Sequence, residues 1–222
     1  MENKKDKKDK KPWPTKDVMA QIYEKNLWGG IGHVFFSGEG SHEESLVMPW
    51  LKAVQEFLGL FKNPISVCDL GCGDFNVGKE LLPFCSHYIG VDIVHELINY
   101  NKSQFPQSNL EFRCLDIAQE ILPSADCAIL RQVLQHLSNE EILKVLEKLH
   151  QYQYVILTEH LPEGDFIPNK NIISGQGIRL KKQSGVNVEA PPFNLKVKSQ
   201  ETLLEVFPKD GKGRIVTILY EF

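Results

Sequence analysis

The chain has 222 residues, enough for one hydrophobic core, and its 42% hydrophobic and 24% charged residues are the balance of a soluble globular domain. No run approaches the roughly 18 apolar residues that a membrane-spanning helix needs. A formal net charge of -4 argues against the broad basic surface of a general nucleic-acid binder. Five cysteines (Cys68, Cys72, Cys85, Cys114 and Cys127) form no CxxC pair, so reduced thiols are expected, with no metal site.

Residues 1–15 read as a flexible basic tail: Met1 to Lys11 carry six lysines against three acids, and Pro12 and Pro14 follow. No apolar stretch of a signal peptide is present there, so a cytoplasmic chain is expected. Residues 16–63 form an N-terminal extension. Val18, Ile22 and Leu27 predict a short helix, and a loop rich in glycine and aromatics runs from Trp28 to Ser41. That loop reads either as a lid over a ligand or as a packed surface segment. Ser41 and Glu44 have capping-box spacing, which predicts a helix start. Pro49 either kinks that helix or opens a second one carrying Trp50, Leu51, Val54, Phe57 and Leu58.

From Pro64 onward, apolar runs alternate with helical stretches. Strands are predicted at Ile65–Leu70, Tyr88–Asp92, Leu110–Arg113, Cys127–Arg131 and Tyr154–Thr158. Helices are predicted near Val77–Leu82, Val94–Ser103 and Asn139–His150, the last opened by a Ser138–Glu141 capping box. An irregular segment at about 159–200 follows. Thr202–Phe207 and Arg214–Phe222 then read as a hairpin across a glycine-containing turn. The whole predicts an α/β fold in one core, residues 64–222. Its doubly wound, mostly parallel seven-stranded sheet ends in an antiparallel hairpin and carries helices on both faces.

Ligands of such sheets sit at the carboxyl ends of the strands, where the loop must turn sharply and let backbone approach closely. Gly71 and Gly73 supply that turn after the first strand. A dinucleotide loop of the G-x-G-x-x-G type would need glycine where Asn76 stands. Asp92 ends the second strand 19 residues after Gly73, where a carboxylate can accept both hydroxyl hydrogens of a ribose.

The run Val67-Cys68-Asp69-Leu70-Gly71-Cys72-Gly73 resembles the first motif of the class I, Rossmann-like S-adenosylmethionine-dependent methyltransferases, and the terminal hairpin is similar to theirs. Phe75 departs from that motif, which often has a third glycine there. The resemblance implies S-adenosyl-L-methionine as cofactor. Asp69 would orient the loop and the amino end of the cofactor's methionine. The backbone of Gly71, Cys72 and Gly73 would pass its carboxylate and ribose. Ile93 would pack on the adenine, Asp116 would accept from the adenine amino group, and the Ile117 amide would meet a ring nitrogen. Arg131 and Gln132 would stand where cofactor meets acceptor.

For the acceptor side the candidates are His136, read as a general base or a packed ring, together with Glu159 and His160 after the fifth strand. Ala190-Pro191-Pro192-Phe193 is similar to the Pro-Pro-aromatic motif of amino-methylating enzymes but lies in the wrong place, and is read as a rigid loop shaping the pocket. Asp165, Asn169 and Asn171 either bind a polar acceptor or cap turns. The function expected is methyl transfer to an unidentified acceptor, a small molecule, without a membrane partner. A non-catalytic cofactor-binding protein and a methyltransferase acting on protein or RNA are the alternatives. Oligomeric state and pathway stay open.

Overall fold

Apolar runs flanked by turn residues form strands because alternate side chains can then be buried on both faces of a sheet. The computed structural model describes residues 12–222, and the stretch 1–11 of the expected basic tail lies outside the described residues. Seven strands make one sheet: β1 (Ser66–Leu70), β2 (His87–Asp92), β3 (Leu110–Cys114), β4 (Cys127–Arg131), β5 (Tyr154–Leu161), β6 (Ser199–Val206) and β7 (Arg214–Glu221). Their order is β3-β2-β1-β4-β5-β7-β6. β1 to β5 pair in parallel, while β7 runs antiparallel to both β5 and β6. The strand order therefore reverses at β1, which lies between β2 and β4.

Helices cover both faces. Helices α1 (Thr15–Glu24) and α4 (Asn139–Leu149) pack on the face that carries Cys68, Leu70, Ala128 and Leu130. Helix α2 (Glu44–Leu58) packs on the opposite face, against Val67, Cys127, Ile129 and Ile156. α2 buries Leu46, Val47, Trp50, Leu51, Val54, Phe57 and Leu58 on one stripe, each contributing about 1.5–3 kcal/mol on the area scale. Helix α3 (His95–Gln104) joins β2 to β3.

Three local expectations change. Ser41 does not cap α2: it ends a short 3-10 turn (Glu39–Ser41), and the helix begins at Glu44 with no side-chain cap. Its hydroxyl instead accepts from Arg131, 90 residues away, a partner that local spacing cannot reveal. Pro49 neither splits α2 nor opens a new helix. It removes only the donor to the Ser45 carbonyl, in the first turn of the helix, where Ser45 is exposed. The helix expected near Val77–Leu82 is a 3-10 segment, Gly78–Phe84, whose Pro83 forbids a longer α-helical ladder. The Ser138–Glu141 capping box forms as expected. Glu141 also receives hydroxyls from Thr15 and Ser174, which ties the start of α1 and the irregular segment to α4.

Candidate active site

At the carboxyl ends of β1–β4 lies a cavity of about 410 Å³, within the size range of small-molecule sites. Its lower wall is the loop after β1. The amides of Gly71 and Cys72 both donate to the Val91 carbonyl, at 2.8 and 2.9 Å, which folds the loop back across β2. Asn101, fully buried on α3, donates to the Gly73 carbonyl at 2.7 Å. Gly71 and Gly73 have φ of +94° and +56°, and a Cβ on Gly71 would collide with Val133. Gly71→Ala should therefore cost about 2 kcal/mol or more, to be checked by denaturant unfolding. Phe75 also has positive φ, +61°; its fully buried ring packs edge-on against Tyr88, Phe105 and Phe112. The aromatic cluster thus offsets a backbone conformation that glycine would adopt without strain.

Asp69, Gly71, Cys72 and Gly73 line the cavity from β1, Asp92 and Ile93 from β2, and Asp116 and Ile117 from the loop after β3. Arg131 and Gln132 close it from β4. Residues up to 63 positions apart, counted from Asp69 to Gln132, are thus brought to one wall by the parallel sheet. Asp92 accepts from the amides of Gly73 at 3.2 Å and Val94 at 3.0 Å, which fixes its carboxylate beside the loop. Burial nevertheless raises its pKa to about 6. Asp69 accepts from the Tyr88 hydroxyl at 2.9 Å, and burial raises its pKa to about 7. Asp116 accepts from the Ala118 amide at 2.8 Å.

The other wall comes from the N-terminal extension, where Tyr23 and Trp28, with Ser37 and Gly38, line the same cavity. This strap is fastened to the loop after β1. The Ser37 amide donates to Asp74 at 3.0 Å, the Asp74 amide donates to the Ser37 hydroxyl at 2.7 Å, and His42 Nε2 lies 2.6 Å from Asp74. Asn76 donates to the Ser41 carbonyl at 2.8 Å. Asp74 and Asn76 therefore work as a clasp, a role the motif reading missed although both residues belong to the motif's own loop.

The acceptor-side candidates separate. His136 lines the cavity, but its Nδ1 lies 3.1 Å from the Gly175 carbonyl and therefore carries the proton. Its ring packs 5.1 Å from Trp28, and burial lowers its pKa to about 4. A ring so placed is a neutral wall and a weak base. Ring-resonance titration by NMR should find His136 unprotonated down to about pH 5. Glu159 and His160 are not at the cavity: their alternating positions on β5 carry them past it. Glu159 is 3% exposed with neither carboxylate oxygen bonded, and His160 Nε2 sits 2.5 Å from the Lys212 carbonyl in the hairpin turn.

The Pro191-Pro192-Phe193 loop also lies off the cavity, its Ala190 and Pro191 carbonyls held by buried Asn169. Asn171 accepts from the Asn139 amide at the start of α4, so both asparagines organise backbone. From the irregular segment, Gln176 to Ile178 and Lys181 reach the cavity instead. Nothing in their local sequence marks them, because the Gly175 amide bond to the His136 carbonyl places them. Among the described residues no cluster of three or more His, Cys, Asp or Glu is placed to hold a metal, and no helix is long and apolar enough to cross a membrane.

Residues 67–153 match a family model described as a methyltransferase domain. Over those residues the chain is similar to a methyltransferase domain. Solved structures share its fold at low identity. N-methyltransferase NodS from Bradyrhizobium japonicum, solved with S-adenosyl-L-homocysteine, is 10% identical at a TM-score of 0.63, covering 92% of this chain and 98% of that one. Magnesium protoporphyrin IX methyltransferase from Synechocystis, solved with its bound cofactor, is 16% identical at 0.58, covering 96% and 100%. Human N-acetylserotonin methyltransferase is 18% identical at 0.53 over 94% of this chain, which spans only 60% of that protein's length. No curated protein sequence matches the chain. The matched stretch covers β1 to the turn before β5, the part of the sheet that supplies the lower wall of the cavity.

Proposed function

We propose that the chain is an S-adenosylmethionine-dependent methyltransferase acting on a small-molecule acceptor. The observation that carries this reading is the meeting of Asp69, Asp92 and Asp116, from three successive strand ends, in one cavity beside a glycine turn. The acceptor set fits the cofactor: a carboxylate for a ribose diol, a second near an adenine amino group, and a third for an ammonium. When bound, the cofactor supplies a methyl group on a positively charged sulfonium, open to in-line displacement.

The chain's residues bind and orient. Asp92 accepts the ribose hydroxyls, Ile93 packs on the adenine, and Asp116 with the Ile117 amide reads its edge. Arg131 and Gln132 border the methyl group. No step is assigned to Glu159 or His160, which lie off the cavity, and His136 is too weak a base to take a proton at neutral pH. Alignment of the nucleophile and exclusion of water by the strap are then the main contributions, and proximity alone supplies a large part of such a barrier. A roofed cavity that cofactor and acceptor must share supports a small acceptor over a folded protein or RNA.

Calorimetry with S-adenosylmethionine, S-adenosylhomocysteine and NAD tests this. Binding of the two sulfur compounds and not NAD is expected, with methyl transfer to a small molecule when candidate acceptors are supplied. Binding of NAD alone would sink the proposal.

A further inference from the structure

Five of the charged residues that line the cavity are already tied within the protein: Asp69, Asp74, Asp92, Asp116 and Arg131. The acids accept from the Tyr88 hydroxyl, from the Ser37 amide, from the Gly73 and Val94 amides and from the Ala118 amide, respectively. Arg131 donates to the Gly40 carbonyl and the Ser41 hydroxyl. Lys181 also lines the cavity, and among the described residues its ammonium has neither a hydrogen-bond nor an ion-pair partner.

The place of this lysine is fixed by a buried neighbour. Lys181 belongs to a 3-10 turn, Arg179–Lys182, in the irregular segment. Arg179, 1% exposed, donates to the Leu134, Gln135 and Leu137 carbonyls at 3.2, 3.3 and 2.8 Å, which pins that turn to the backbone on either side of His136. The adjacent Lys182 is committed to the Asn171 carbonyl at 2.8 Å. Gln176 donates to the Leu27 carbonyl at 2.6 Å, so the same segment also joins the strap beside Trp28. The Trp28 and His136 rings, 5.1 Å apart, line the cavity at this junction.

In the methyltransferase reading Asp69, Asp92 and Asp116 serve the cofactor, which leaves the two rings and Lys181 to the acceptor. An aromatic wall favours a flat apolar body, and a lysine is a point charge that attracts an anion of either shape. One uncommitted ammonium balances one negative charge, which a carboxylate carries at neutral pH. We propose that the acceptor is a flat molecule bearing a single carboxylate, and that Lys181 receives this carboxylate while the body lies against Trp28 and His136. The inference rests on the methyltransferase reading and names the acceptor class for it.

The experiment is calorimetry of the full chain saturated with S-adenosylhomocysteine, titrated with naphthalene-2-carboxylate, the neutral naphthalene-2-carboxamide and the cationic 2-naphthylmethylammonium. The wild type should prefer the acid over the amide by about three- to tenfold, the range of one net hydrogen bond, and the preference should shrink in high salt. Lys181→Met should bind acid and amide alike. Lys182→Met, one residue on but committed to Asn171, should keep the preference, which separates Lys181 from a general effect of basic charge. Lys181 is exposed, so its substitution leaves the fold intact. Binding of none of the three probes, equal binding of acid and amide, or tightest binding of the ammonium overturns the proposal. So does a preference that survives in Lys181→Met. Failure of S-adenosylhomocysteine itself to bind, measured first, overturns the methyltransferase reading and this proposal with it.

Discussion

Asp92→Ala is expected to weaken binding of S-adenosylmethionine by about 10- to 100-fold, read by calorimetry at pH 7.5. The carboxylate is 8% exposed and stands at the end of β2 with both oxygens already oriented by the Gly73 and Val94 amides. A ribose diol would add two hydrogen bonds to a charged acceptor, worth about 1.5–3 kcal/mol. The substitution also frees the Gly73 amide, so part of the loss comes through the loop itself. Asp92→Asn separates the two effects, since it keeps the volume and one acceptor oxygen but removes the charge. Unchanged affinity in the alanine variant would contradict the placement of the ribose. Affinity should also fall with pH below about 6, because burial raises the pKa of Asp92 to that value and the acid must give up its proton before it can accept from two hydroxyls.

Glu159→Gln is expected to stabilise the protein at pH 8 by about 3–5 kcal/mol, on the order of 10 °C in Tm, and to do little at pH 5. Burial raises the pKa of Glu159 to about 8 against the usual 4.5, although the Arg179 guanidinium pulls it down. Between these values the native state holds a proton that the unfolded chain has released. The slope of stability with pH is then negative, and stability present below pH 4.5 is lost as pH rises through 8. Glutamine keeps the neutral shape and has no proton to lose. Arg179 does not depend on this acid for bonding, because it donates to the Leu134, Gln135, Leu137 and Lys170 carbonyls and to Asn139. Thermal melts of both proteins at pH 5, 6.5 and 8 check the prediction; parallel curves would contradict it.

Glu159 also marks where sequence reading stops. Its position just past the usual end of a fifth strand made it a candidate for chemistry, yet β5 runs on to Leu161, paired with β7 along its full length. The antiparallel partner extends the strand and carries Glu159 and His160 away from the cavity. Strand length depends on that partner, some 60 residues later in the chain, which no local pattern encodes. His136 failed as a base for a similar reason: the Gly175 carbonyl that fixes its tautomer comes from 39 residues away.

The sequence by itself determined the alternation of strands and helices, the capping box of α4, the glycine turn and the acids at successive strand ends. These follow from periodicity, capping and backbone sterics, all of which act within a few residues. Only the tertiary structure decided that the Trp28–Ser41 loop walls the cavity, that Asp74 and Asn76 clasp it, and that Ser41 holds Arg131 instead of capping α2. Those outcomes depend on hydrogen bonds spanning 35 to 90 residues, which exist only once the sheet has brought the strand ends together.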